Sequence, residues 1–265
     1  MRGKTDLEKI KIWWQSSTVI ADFPEFLRAI ENHAKMILSP NTELEVHGVD
    51  FGTSELQYHY FSFLNTHQIL ENAWRAQQEG FDAVAIGCGM DPGLDEAREI
   101  LDIPVLGMSE TGMLVACMLG RKFSVITHNY LLNKKRIELL IQKYGLESRS
   151  VSGGTFEVDL NILARSFNNP EPVISQFTTA AMEAIHQGAE VIIPGCNILS
   201  LVAAQNKFYE INGIPILDVS GVLMKITEAM VMLNRISGVR ISRKGYFEPP
   251  SSALTLAVRK IYEED

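Results

Sequence analysis

Cysteine is scarce in this chain, with three in 265 residues. So small and odd a number is not a disulfide framework of the secreted kind. Basic runs are missing too. The net charge is −8 and no block of Lys and Arg offers a footprint for phosphate backbones, so nucleic acid is not an expected partner. Apolar runs stay short: Met113–Leu119 ("MLVACML") is among the longest, far below a bilayer span, and no membrane association is expected. The opening "MRGKTDLEKIKIWW" holds no apolar core of signal-peptide length. The six His fall at no ligand-pair spacing and no Cys-x-x-Cys occurs, which argues against a metal site. No glycine-rich loop follows a strand in the phosphate-binding pattern either, so no cofactor is expected. Hydrophobic residues at 46% and charged residues at 21% fit a globular protein, expected in the cytoplasm and acting on a small molecule.

What the chain does contain is alternation. Short apolar runs, at Ile10–Trp14, Leu44–Val49, Ala83–Ile86 and Val105–Met108, are separated by helical patterns over Phe23–Ile37, Gln68–Gln78, from Leu94 and from Thr111. This is the signature of βαβ units and a parallel sheet. After Gly120 the same order restarts: strand Phe123–Thr127, helix Leu131–Tyr144, a weak strand near Arg149–Ser152, helix Val173–His186, strand Val191–Ile193, helix Leu199–Glu210, strand Ile216–Val219 and a helix from Val222.

The two halves also agree residue by residue. "GFDAVAIGC" (Gly80–Cys88) lies over "GAEVIIPGC" (Gly188–Cys196) without a gap, and "IPVLGMS" (Ile103–Ser109) over "IPILDVS" (Ile214–Ser220). A repeat unit this long reads as a duplicated domain rather than a solenoid. The expected fold is therefore α/β, with two pseudo-symmetric flavodoxin-like domains, parallel sheets and a site in the cleft between them. Residues 1–119 with 238–265 form the first domain, completed by a helix over Ser252–Tyr262, and residues 120–237 form the second.

Cys88 sits between two glycines where a strand ends. A free Cys is commonly a buried small hydrophobe, whereas a thiol near a helix N-terminus is placed to ionise. Its partner in the repeat, Cys196, decides between these. Ligands of open parallel sheets bind beyond the carboxyl ends of the strands, and two facing sheets would bring both thiols to one cleft. Cys117, on an apolar helix, reads as core.

The segments "GCGMDPGLDEARE" (Gly87–Glu99), "PVLGMSE" (Pro104–Glu110), "PGC" (Pro194–Cys196) and "PILD" (Pro215–Asp218) carry a resemblance to the aspartate/glutamate/hydantoin racemase superfamily. Within it, the chain looks like the hydantoin and allantoin racemases. The resemblance implies a cofactor-independent racemase or epimerase in which Cys88 and Cys196 are the acid/base pair, one thiolate removing a proton alpha to a carbonyl and the other thiol returning one. There are departures. Hydantoin racemases usually open the first strand–helix loop with Asn-Pro-Asn-Thr, where this chain has Gln15-Ser16-Ser17-Thr18. After the second Cys come Asn197-Ile198-Leu199, without the Thr-His pair of many amino-acid racemases.

Gln15, Ser16 and Ser17 at the first strand end, and Thr127, His128 and Asn129 at its counterpart, are candidate substrate contacts. Gly89 and Asn197 are candidates to present backbone N–H groups to a developing enolate, although Gly87, Gly89 and Gly195 also read as relief of crowding. Asp91 and Pro92 read as N-cap and first residue of the next helix, and Ser109 as the cap of the one after. The aromatic stretch Phe51–His67 reads either as pocket wall or as a subunit interface, and a homo-oligomer is expected.

A ring carbonyl or imide accepts carbanion charge better than a carboxylate does. The expected activity is thus racemisation of a 5-substituted hydantoin or related cyclic amide. Alternatives are an amino-acid racemase, a cis–trans isomerase or a decarboxylase of the same superfamily, or a non-catalytic small-molecule sensor built from paired lobes. Dialysis against EDTA is expected to leave the turnover rate unchanged while iodoacetamide abolishes it; recovery that depended on added metal would contradict the cofactor-free reading.

Overall fold

The computed structural model describes residues 9–128, 130–158 and 160–263. Strands β1 (Ile10–Gln15) and β3 (Ala83–Ile86) are buried along nearly their whole length, as continuous apolar runs are in parallel sheets covered on both faces. They form the centre of a first sheet with β2 (Thr42–His47) and β4 (Val105–Gly107), in the order β2-β1-β3-β4, all parallel. The second sheet repeats the order with β6 (Thr155–Phe156), β5 (Phe123–His128) and β7 (Val191–Pro194). Ile216 adds one parallel bridge beside Ile192, where a fourth strand would lie. Ten helices connect and cover the strands in the described residues: α1 (Pro24–Ile37), α2 (His59–Gln78), α3 (Leu94–Ile100), α4 (Met108–Leu119), α5 (Tyr130–Lys143), α6 (Leu160–Arg165), α7 (Glu171–His186), α8 (Asn197–Gln205), α9 (Val219–Ser237) and α10 (Ser252–Glu263). None of these is long and apolar enough to cross a membrane.

Three local expectations need correction. The weak strand placed at Arg149–Ser152 is a 3-10 turn (Glu147–Arg149) and a single bridge from Ser150 to Phe123. The strand forms later, after Gly153 and Gly154, which pass so close to β5 and α7 that a Cβ would meet Val125 O at 2.2 Å and Ala180 O at 2.4 Å. The strand expected at Ile216–Val219 shrinks to its one bridge because an Asn212-Gly213 turn, with both φ positive, folds β8 (Glu210–Ile211) back on β9 (Ile214–Pro215) as a hairpin. Finally α2 begins at His59, so half of the aromatic stretch is helix.

The last helix of each half crosses to the other sheet. α4 packs on β5 and β7 as well as on β4, and α9 packs on β1, β3 and β4. One apolar core results, with Ile12, Ala85 and Leu106 from the first sheet joined to Val125, Val191 and Ile193 from the second and to Leu223 and Met224 of α9. The tail returns to the first half: Arg243 donates to the carbonyls of Arg98 and Glu99 at the end of α3, and Arg259 pairs with Glu71 and lies over Trp74. On these contacts we propose that the lobes divide before α4 and before α9, rather than after each helix as the repeat suggested.

The α9 crossing buries Glu228, whose side chain is 4% exposed. It accepts from the Ser39 N–H at 3.0 Å and from the Thr42 hydroxyl, and pairs with Lys225 at 2.6 Å. Burial alone would push the carboxyl up, but the Lys225, Thr42 and Ser39 donors hold it below the ordinary carboxylate range. A depressed folded value stabilises the fold above the unfolded pKa and stops doing so as pH falls through the folded one. Glu228→Ala is expected to cost about 1–3 kcal/mol at neutral pH, the price of leaving buried donors unmet. Urea denaturation should show that difference shrinking in acid, and an equal cost at all pH values would refute the ionised role.

Candidate active site

At the carboxyl ends of the central strands the two lobes meet around a cavity of about 260 Å³. From the first lobe come Ser16, Ser17 and Thr18 after β1, and Gly87, Cys88, Gly89 and Met90 after β3. From the second come Thr127 and His128 ending β5, and Gly195, Cys196, Asn197 and Ile198 after β7. The walls are completed by Phe23 and Phe26 near the start of α1, by Ser54, Leu56 and Gln57 of the loop before α2, by Asn133 of α5 and by Leu163 of α6. The cavity thus contains both thiols of the repeat. Among its described residues it has no Asp, Glu, Lys or Arg.

The strand-end glycines act by close packing. A Cβ on Gly87 would overlap the Trp14 indole at 2.3 Å, and one on Gly89 would lie 2.1 Å from Gly195 O. The Cys88 and Cys196 loops therefore touch backbone to backbone. Hydrogen bonds fix the contact: Asn197 Nδ2 donates to Gly87 O at 3.2 Å, and Ser220 Oγ donates to Asn197 Oδ1 at 2.7 Å. In the other half of the repeat, Ser109 Oγ donates to Gly89 O at 2.6 Å. Ser109 is thus a buried support for the Cys88 loop and not the cap of α4.

That cap is Asp91, with φ of 44°. Its carboxylate reaches forward to accept the N–H groups of Ser109 at 2.9 Å and Glu110 at 2.8 Å, and it takes the Tyr144 hydroxyl at 2.6 Å. Gly93, in the left-handed region, is the residue before α3, so the expected Asp91 cap on that helix is replaced by one on the next. Burial lifts the Asp91 carboxyl to about 6 against the pull of these donors.

Of the other expected contacts, Ser16, Ser17, Gly89, Thr127, His128 and Asn197 line the cavity, while Gln15 does not. Gln15 is fully buried, accepting from Trp13 Nε1 at 2.9 Å and donating to Ser16 O at 2.8 Å, because its side chain falls on the strand face turned to α2. Asn129 lies outside the described residues. The side chain of Asn197 is committed to the opposite loop, which leaves its backbone N–H, at the first position of α8, as what it can offer a ligand. Sequence reasoning did not single out Asn133 or Arg136, one turn apart on α5, and nothing in that amphipathic stretch marks them. Cys117 packs against the core on α4, as expected.

Helix placement had suggested thiolates. Cys196 does stand as the N-cap of α8, with the Ile198 and Leu199 N–H groups directed to its sulfur; Cys88 has the Ser17 hydroxyl and the Met90 N–H. Even so, burial outweighs these donors and pushes both thiols up, and at Cys88 the neighbouring Cys196 and Asp91 charges add to the rise.

The model of a family described as Asp/Glu/Hydantoin racemase matches residues 24–227. The chain belongs to the Asp/Glu/hydantoin racemase family. It is an isomerase. It is 29% identical over 211 residues to the hydantoin racemase of Pseudomonas sp. (strain NS671), covering 78% of this chain and 82% of that protein. Solved allantoin racemases share the fold. That from Klebsiella pneumoniae has a TM-score of 0.77 at 23% identity, covering 92% of this chain and 95% of its own. That from Pseudomonas fluorescens has a TM-score of 0.78 at 22% identity, covering 91% and 97%. The α/β fold with parallel sheets expected from the repeat is shared with these structures.

Burial pushes both thiols up. Iodoacetamide alkylation of Cys88 and of Cys196, followed separately by mass spectrometry of the ligand-free protein, is expected to rise with midpoints above that of a free thiol. A midpoint near neutrality at either cysteine would show that its N–H and hydroxyl donors outweigh burial.

Proposed function

We propose that this racemase inverts a carbon alpha to a carbonyl without a cofactor, using Cys88 and Cys196 from opposite faces of the substrate, and that the substrate is a 5-substituted hydantoin or related cyclic amide. The observation carrying this reading is the pair of matched thiols on touching strand-end loops of one cavity. One cysteine, as thiolate, takes the alpha proton; the C–H electron pair moves into the carbonyl to give an enolate; the other thiol then delivers its proton to the opposite face. The enzyme is left with the two thiols exchanged in protonation, the form that carries out the reverse conversion. Proton transfer of this kind contributes roughly 10²–10⁴-fold. The rest would come from N–H donors to the enolate oxygen, for which Gly89 and Asn197 are the candidates.

Support for a neutral ring over a free amino acid comes from the lining. Hydroxyls and amides of Ser16, Ser17, Gln57 and Asn133 suit ring carbonyl and N–H groups, and no Lys or Arg among the described lining residues meets a carboxylate. The same names on relatives, hydantoin and allantoin racemases, favour that class. Three free cysteines suit a reducing cytoplasm, and the exposed Phe51, Tyr60 and Phe63 suit association between copies.

The two thiols can be separated experimentally. Cys88→Ser and Cys196→Ser are each expected to lose racemisation, because each conversion needs one thiolate and one thiol. In deuterium oxide each mutant should still exchange the alpha proton of one enantiomer with retention, and the two should favour opposite enantiomers. Chiral chromatography of enantiopure hydantoins, allantoin, aspartate and glutamate with the native protein fixes the substrate class. Either mutant racemising at near native rate sinks the two-base mechanism; faster turnover of a free amino acid than of any cyclic amide sinks the substrate assignment.

A further inference from the structure

His33 on α1 and Tyr144, just past the end of α5, stand 111 positions apart in the chain. The same interval separates Gly107 from Asp218 and Glu110 from Gly221, so these are partners in the repeat. Tyr144 donates its hydroxyl to Asp91 Oδ2 at 2.6 Å, and that oxygen also takes the Glu110 N–H at 2.8 Å. His33 Nε2 donates to Asp218 Oδ2 at 2.7 Å, and the other oxygen of Asp218 takes the Gly221 N–H at 3.0 Å. The two carboxylates come from different places in the chain and fill one role. A Cβ on Gly107 would lie 2.6 Å from the Asp91 Cγ. Asp91 thus supplies, at the start of α4, the carboxylate that Gly107 lacks and Asp218 carries.

From each carboxylate the bonding continues to one peptide carbonyl beside Cys88. Asp91 holds the N–H groups that open α4, and Ser109 of that turn donates to Gly89 O at 2.6 Å. Asp218 caps α9, where Ser220 donates to Asn197 Oδ1 at 2.7 Å and Asn197 Nδ2 donates to Gly87 O at 3.2 Å. Gly87 and Gly89 flank Cys88. Each path also joins the halves of the chain. Tyr144 reaches from the second half to Asp91 in the first, and His33 from the first half to Asp218 in the second. His33 is buried, and neither donor lines the cavity, so neither touches a molecule held there. Burial, with the Asp91 charge adding to it, pushes the Tyr144 hydroxyl up, which keeps it a donor.

We propose that His33 and Tyr144 are matched positioning residues that hold the two carbonyls beside Cys88, and so fix the Cys88 thiol against Cys196. The inference rests on the two-thiol racemase reading where turnover is measured; alkylation needs no substrate, so the two can fail separately. Tyr144→Phe removes one oxygen and keeps the ring. His33→Leu removes the donor, and His33→Gln returns an N–H on a side chain of similar reach. Turnover is measured on whichever of the enantiopure hydantoins and allantoin the native protein converts fastest. Iodoacetamide labelling of Cys88 is measured without substrate, at a pH where both cleft thiols react, with Cys196 in the same molecule as reference.

Tyr144→Phe and His33→Leu are each expected to lower kcat by about 10- to 100-fold, the scale of misplacement by an ångström. KM should stay near native, because neither residue binds the substrate. In both variants Cys88 should be labelled several-fold faster relative to Cys196 than in the native protein, as its loop is freed. His33→Gln should recover both readouts. Tyr144→Phe keeps the test readable if His33→Leu folds poorly. Native kcat in Tyr144→Phe or in His33→Leu overturns the role of that residue. A loss in His33→Gln equal to that in His33→Leu, or an unchanged labelling ratio in both variants, overturns the positioning. If the native protein converts no cyclic amide, it is the substrate assignment that fails, and the labelling ratio alone decides the positioning.

Discussion

The rest of this structure depends on a contact between two pieces of backbone with no side chain in the way. The loop after β3 meets the loop after β7 with Gly89 against the Gly195 carbonyl, at a distance that excludes even a methyl group. Each loop carries its thiol one residue away from the contact, on Cys88 and on Cys196. Because close-packed interiors do not stretch, the separation of the two sulfurs is set by this contact and by the strands behind it. A rigid pair of thiols flanking a small cavity is what proton transfer on two faces of one carbon requires, since misplacement by an ångström is costly in such reactions.

Support for that contact comes from the crossed helices. Ser109 and Ser220 occupy matching places in the repeat, each in the first turn of a helix that packs on the sheet of the other half of the chain. Ser109 holds Gly89 O; Ser220 holds Asn197, which in turn holds Gly87 O. Sliding the lobes apart would uncover the apolar faces of α4 and α9 and break both sets of bonds together. Hinge motion between two lobes is the ordinary expectation when their interface is small and polar, and here the interface is a shared apolar core.

Much of this was legible in the chain because its signals are periodic or repeated. The buried runs IKIWWQ and AVAI announce central parallel strands, and the gapless match of "GFDAVAIGC" to "GAEVIIPGC" places both cysteines at equivalent strand ends. What escaped was decided by contacts between distant segments. Asp91 reads locally as the cap of the helix that follows it; only the fold brings the N–H groups of Ser109 and Glu110 to its carboxylate. Gln15 ends β1 beside loop residues that face the cavity, yet strand alternation turns it toward Trp13. Arg136 sits among Lys134, Lys135 and Glu138, which look alike in sequence, and its reach to Leu56 spans the cleft. The weak strand of the second half slipped past two glycines whose role is room for neighbouring backbone.

The raised thiols are consistent with the chemistry proposed for them. A carbon acid yields its proton only to a strong base, and a thiolate that is hard to form is a stronger base once formed, at the expense of its abundance. Racemisation adds a symmetry demand: with an equilibrium constant of one, neither enantiomer can be favoured over a full cycle, so in the proposed mechanism each cysteine serves as base in turn. Their surroundings meet that demand by different means. Cys196 is served by the Ile198 and Leu199 N–H groups at the start of α8, whereas Cys88, which does not stand at a helix end, has the Ser17 hydroxyl and the Met90 N–H set against the charge of Asp91. The two halves match through strand and cysteine, and the donors that each thiol receives differ because Cys196 opens a helix and Cys88 does not.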